Sequence, residues 1–153
     1  MGVFTRFKRD AAGFRAIIEL WETTPKDRRE KMIEVGRAED PEFTEEVLRY
    51  LMTFQDVLDL PDLELAEVLA AAKPRMVGVA IQPLNKEIQK RFLRNAPGRL
   101  MSEIRDFLET SPTLREVGGA QLNLITVARA LEKKGLVKTK RIPFQQPDLK
   151  ARA

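Results

Sequence analysis

Asp40-Pro41-Glu42-Phe43-Thr44-Glu45-Glu46-Val47-Leu48-Arg49-Tyr50-Leu51-Met52-Thr53-Phe54 is the stretch on which the reading of the fold turns. The Asp40 carboxylate is placed to accept a hydrogen bond from a first-turn N–H of a helix, and Pro41 occupies a position whose missing N–H costs nothing. Glu42 adds negative charge to that first turn, where the helix dipole favours it. Phe43, Val47, Leu48, Leu51 and Phe54 then recur at three-and-four spacing, which predicts an amphipathic helix with one apolar stripe. Leu51-Met52-Thr53-Phe54 closes this helix with large apolar groups just before the helical-looking Gln55-Asp56-Val57-Leu58. The stretch therefore reads as helix, joint, helix.

The same punctuation recurs in both directions. Thr24-Pro25 predicts a helix start with the Thr24 hydroxyl as cap, and Leu60-Pro61-Asp62, Lys73-Pro74, Asn85, Ala96-Pro97 and Ser111-Pro112 mark further starts or breaks. Between them lie the stripes Phe14, Ile17, Ile18, Trp21; Leu65, Val68, Leu69; Ile88, Phe92, Leu93; and Leu100, Ile104, Leu108. The last long segment spans 114–134, with Val117, Leu124, Ile125, Ala128 and Leu131 inward and Gly135 as a left-handed stop. Gly118-Gly119 weakens its start, which predicts a separate short helix for the first turn. No segment alternates as a strand does. The expected fold is all-α, with about eight short helices stacked in hairpins as an armadillo-like or irregular bundle.

Composition removes whole classes of chemistry. The 153 residues, 43% hydrophobic and 33% charged, suit a globular helical chain rather than disorder. Cysteine and histidine are both absent, so disulfides, thiol nucleophiles, and thiolate or imidazole metal sites and acid/base catalysis are not available. No cofactor, metal site or enzymatic activity is expected. No apolar run approaches the roughly 20 residues of a membrane span, and the N-terminus lacks the apolar core of a secretion signal, so a cytoplasmic location is expected. The net charge of +4 gathers at the ends, in Arg6, Lys8 and Arg9 and in Lys133, Lys134, Lys138, Lys140, Arg141, Lys150 and Arg152. No basic stripe is interleaved with aromatics, and nucleic-acid binding is not expected.

The candidate sites are surfaces. Arg99 and Asp106 lie two helical turns apart on nearly one face, with Glu103 between them and Ser102 and Arg105 continuing the polar surface. Such a row is most often a solvated face with weak pairs; its sharper reading is a contact that steers and registers a charged partner. Leu51, Met52, Thr53 and Phe54 read as core or as a hinge whose packing has two arrangements, both tolerated by methionine. Asp59, Asp62 and Glu64 sit where acids cap helices. Gly118-Gly119 lacks the strand, the glycine spacing and the lysine of a phosphate loop.

Taken in order, several segments resemble the C-terminal part of the FliG family of flagellar motor switch proteins. They begin at Gly13-Phe14-Arg15-Ala16 and run through 39–47 to Leu51-Met52-Thr53-Phe54-Gln55-Asp56-Val57, which is similar to the family's Met-Phe-x-Phe hinge followed by Glu-Asp. They continue with Phe92-Leu93-Arg94-Asn95, Arg99, Arg105-Asp106, Leu108, Glu116-Val117, Ala120-Gln121 and the closing 129–135. The resemblance covers about 13–137.

It implies an armadillo-like helical unit over 10–54, a C-terminal helical bundle of the motor-switch type over 55–144, and a flexible tail over 145–153. In the family a row of charges on one bundle helix meets opposite charges of the stator. Two of those positions are retained as Arg99 and Asp106. The upstream lysine falls at Gln82, the second aspartate at Phe107 and the final arginine near Thr113; Leu51 and Met52 replace methionine and phenylalanine in the hinge. The implied function is a non-enzymatic rotor or switch component contacting flagellar switch and stator proteins or other helical proteins. Self-association by domain exchange is also implied, with a place in the cytoplasm, at most at the inner face of the membrane. The departures motivate an alternative, a scaffold or adaptor of the same fold without torque generation, in which Phe107 anchors an apolar partner pocket. The start Met1-Gly2-Val3-Phe4 reads as that of a short natural relative.

Overall fold

The structure, a computed structural model, describes Phe4, Phe7 and residues 12–143. The tail predicted for 145–153 lies outside the described residues, as do positions 10, 11 and 144 of the predicted units. All regular structure among the described residues is helical: α1 Gly13–Thr23, α2 Lys26–Glu39, α3 Pro41–Tyr50, α4 Phe54–Leu58, α5 Asp62–Ala71, α6 Pro74–Ile81, α7 Lys86–Asn95, α8 Gly98–Leu108 and α9 Leu114–Lys133. They fall into two compact units. The first holds the chain up to Leu51 together with its return from Lys140 onward, and the second is Met52–Thr139.

In the first unit the apolar stripes of α1 and α3 face a shared core of Phe14, Ile17, Ile18, Trp21, Phe43, Val47 and Leu51. Asp40 caps α3 as the sequence predicts, accepting from the Phe43 N–H at 3.1 Å with Pro41 in the first turn. Thr24 does not cap α2. Its hydroxyl donates backward to the Leu20 carbonyl at 2.6 Å, and Pro25 holds the cap position with no side-chain bond. A threonine at a helix end finds an orphan carbonyl behind it as readily as an orphan N–H ahead, and here the carbonyl wins. Two aromatics outside the predicted stripes complete the core. Phe4 is 2% exposed and stands edge-on to Phe43 at 4.7 Å, while Phe7 is buried beside it. Gly36 makes room for Phe4, since a Cβ there would meet the Phe4 ring at 2.6 Å.

In the second unit α8 and α9 both pack on α6, which is buried along Val77–Ile81. Asn85 caps α7 as read, accepting from the Ile88 N–H at 2.9 Å. The Gln89 amide donates to the Ile81 and Gln82 carbonyls at 3.1 and 2.9 Å, which satisfies the C-terminal end of α6. The long helix α9 is continuous through Gly118-Gly119, contrary to the predicted break. Thr113 and Glu116 form a reciprocal capping box at its start, and burial of Val117 and Ala120 on either side of the glycines offsets their propensity cost. Gly135, at φ 79°, ends it as predicted.

Arg91 on α7 clamps the α4–α5 turn. Its guanidinium donates to the Leu58 carbonyl at 2.7 Å, to the Leu60 carbonyl, and to Asp62 Oδ1 at 2.9 Å. Asp62 therefore ties two helices together rather than capping one. Arg91→Ala is expected to cost about 2–3 kcal/mol, because charge-assisted bonds are lost and two half-buried carbonyls lose a partner. Arg91→Lys should recover little, since an ammonium cannot span three acceptors as the planar fork does. The midpoint of urea unfolding followed by circular dichroism checks both.

Candidate functional site

The amphipathic pattern of α8 decides which of its residues meet solvent. Ile104 is fully buried, and Leu100, Phe107 and Leu108 pack against the core of the second unit. At about 100° per residue the opposite face carries Arg99, Ser102, Glu103 and Asp106, all exposed, with Arg105 exposed at the flank. The structure thus brings Arg99, Glu103 and Asp106 together as one row, a cation followed by two carboxylates. None of the three, nor Arg105, is engaged in an ion pair among the described residues. The row is presented whole to water.

Phe107 does not share this face. It is half-buried, and a Cβ on Gly78 of α6 would come within 2.5 Å of the Phe107 Cβ and 2.9 Å of the Ile104 carbonyl oxygen. Gly78 is thus a point at which α8 packs so closely on α6 that no side chain fits between them. This role was missed in the sequence, although a lone glycine inside the apolar run Val77-Gly78-Val79-Ala80 is a signal of close helix packing.

The four joint residues are divided between the units. Leu51 is buried in the aromatic core of the first, and Met52, fully buried, belongs to the core of the second. Residues 51–53 are non-helical, with extended backbone at Leu51 and Thr53. Thr53 and Asp56 form a reciprocal capping box that starts α4, and Phe54 packs half-buried on the second core. The boundary between the two units thus falls at the Leu51–Met52 peptide, with one apolar side chain in each core.

Elsewhere, an open groove of about 540 Å³ is lined by Pro41, Glu42, Glu45 and Glu46 of α3. Arg37 pairs with Glu45 at 3.0 Å and Arg49 with Glu46 at 3.4 Å, so two of its three acids are partnered on their own unit. Among the described residues no group of carboxylates could hold a metal ion, and no helix is long and apolar enough to cross a membrane.

The helical fold of both units is the class of fold the sequence resemblance implies. The family model for the FliG C-terminal domain matches residues 37–138, more than half of the chain. The chain belongs to the FliG C-terminal domain family. The flagellar motor switch protein FliG of Thermotoga maritima is 26% identical over 136 residues, covering 88% of this chain and 41% of its own. That of Borreliella burgdorferi is 25% identical over 127 residues, covering 82% and 37%. The chain thus spans about two fifths of the length of the curated relatives it matches. Among solved structures, a FliG fragment from Helicobacter pylori superposes with a TM-score of 0.61 at 20% identity, covering 85% of this chain and 62% of that one. Full-length FliG from Aquifex aeolicus gives 0.51 at 24% identity, covering 80% and 39%. The helical fold is shared with these.

Gln82 and Thr113 both have structural employment in this FliG-family chain. Gln82 follows the end of α6 and is half-buried, its carbonyl taken by Gln89. Thr113 is the cap of α9, accepting from the Glu116 N–H at 3.1 Å.

Proposed function

We propose that this chain is a non-enzymatic component of a flagellar motor rotor or switch. It contacts partner proteins through the Arg99, Glu103 and Asp106 row of α8, flanked by Arg105, and reorients about Leu51–Phe54. Membership of the FliG family supports the setting. The observation that carries the contact is the row itself, since three charges exposed on one face and engaged in no ion pair among the described residues are available to a partner of complementary sign. The partners proposed are flagellar switch and stator proteins, met in the cytoplasm or at the inner face of the membrane.

Arg99→Asp and Asp106→Arg test the contact. Both side chains are exposed, so folding stability should move by no more than about 0.5 kcal/mol. Each reversal is expected to weaken partner binding several-fold at low salt, less at high salt, and to reduce swimming of complemented cells. The paired reversal separates register from net charge: it stays impaired if the order of the charges matters. Wild-type binding and motility in both single variants would show that the row is only a solvated face.

A further inference from the structure

The chain passes between the two units at Leu51–Met52 and again at Thr139–Lys140. The second passage is fastened on both sides. On the second unit, one carboxylate oxygen of Glu64 accepts from the Lys138 N–H at 3.1 Å, the Thr139 N–H at 3.2 Å and the Thr139 hydroxyl at 3.0 Å. Val137, just before it, is fully buried in the core of that unit. On the first unit, Lys140 Nζ donates to the Arg49 carbonyl at 3.3 Å, and Ile142 is 3% exposed in the aromatic core. Between these fastenings Lys140 takes a left-handed backbone, φ 54°, a region few non-glycine residues occupy.

We propose that residues 138–142 form a strap limiting how far the two units swing about the 51–53 joint, and that Glu64 is its fastening. The proposal rests on the reading of 51–54 as a hinge. A joint of three non-helical residues leaves many orientations open, and a second short connection removes most of them. With Glu64 engaged, the slack lies in the residues around Lys140. Without it Lys138 and Thr139 are released as well, and at about 3.5 Å per extended residue the strap gains up to roughly 7 Å of reach. Glu64 sits in the first turn of α5, where an acid reads as a local cap, yet its partners lie 74 and 75 residues further on.

The chain has no cysteine, so a spin-label pair can be introduced at exposed Lys31 and Lys90, one per unit, and the distance distribution measured by pulsed dipolar resonance. Glu64→Ala is expected to widen the distribution by several ångströms while helicity by circular dichroism stays native. Insertion of two glycines between Thr139 and Lys140, which removes no side chain, should widen it likewise and decides the matter if Glu64→Ala fails to fold. Thr53→Gly loosens the joint itself. Widening by Thr53→Gly alone would overturn the strap and leave the hinge standing, and no widening in any folded variant would overturn both.

Discussion

Replacing Gly78 with valine should destabilise the second unit by about 3 kcal/mol and lower its melting temperature by roughly 15 °C. A Cβ at this position lies 2.5 Å from the Phe107 Cβ and 2.9 Å from the Ile104 carbonyl oxygen, against the 3.5–4.0 Å of an ordinary carbon contact. A flexible side chain could turn away from such an intrusion. A backbone carbonyl in mid-helix cannot, so α8 must retreat from α6 by on the order of 1 Å, loosening Leu100, Ile104 and Leu108 together. Helix propensity opposes this, since glycine is worth about 1 kcal/mol less than alanine in a helix interior. The clash is the larger effect. Gly78→Ala should therefore lose about 2 kcal/mol where an open helix site would gain about 1. Gly118 supplies that comparison, because nothing lies within 4 Å of its added Cβ, and Gly118→Ala should stabilise. Thermal unfolding of the three variants by circular dichroism measures the contrast, and equal effects at positions 78 and 118 would refute the close approach.

Trp21→Ala is expected to cost about 3–5 kcal/mol and to unfold the first unit near physiological temperature. Trp21 is fully buried, and its ring stands 5.9 Å from that of Phe4 in a cluster that also holds Phe14 and Phe43. Few contacts in a unit of this size compensate for so large a cavity. Trp21→Phe should behave quite differently. The indole Nε1 is buried without a hydrogen-bond partner, a state that costs about 1–3 kcal/mol in the native protein. Phenylalanine leaves a smaller cavity and removes that unpaired donor, so its net effect should fall within about 1 kcal/mol. Denaturant unfolding by circular dichroism compares the two. A phenylalanine variant as damaged as the alanine one would show that the indole N–H has a partner after all.

The elements legible in advance were those settled within a few residues. Asp40 and Asn85 were read as caps because a cap needs only its own side chain and an N–H three residues ahead. The stripes Ile17, Ile18, Trp21 and Leu65, Val68, Leu69 are buried as their spacing required. Thr24 was misread although it too is local, since a hydroxyl both donates and accepts and the sequence does not say which orphan group it will meet. The break expected at Gly118-Gly119 failed because propensity is a weak term beside a capping box and two buried neighbours. Phe4 and Phe7 have no helical spacing to announce them, and only their own close approach to Gly36 and Gly13 puts them in a core. Of the candidate site, the exposure of Arg99, Glu103 and Asp106 on one face could be foreseen from the period of α8. That Phe107 turns away from them toward Gly78 could not.

By itself, then, the sequence determined that the chain is helical, where most helices begin and end, and which side of α8 carries charge, since each depends on contacts spanning four residues or fewer. Only the tertiary structure decided that Leu51 and Met52 belong to different cores, that Asp62 serves Arg91, and that Glu64 holds Thr139. Several apolar stripes of similar width can pair in many ways. Which pairs form follows from shape at points such as Gly78, and from polar groups that find partners only once distant segments have already met.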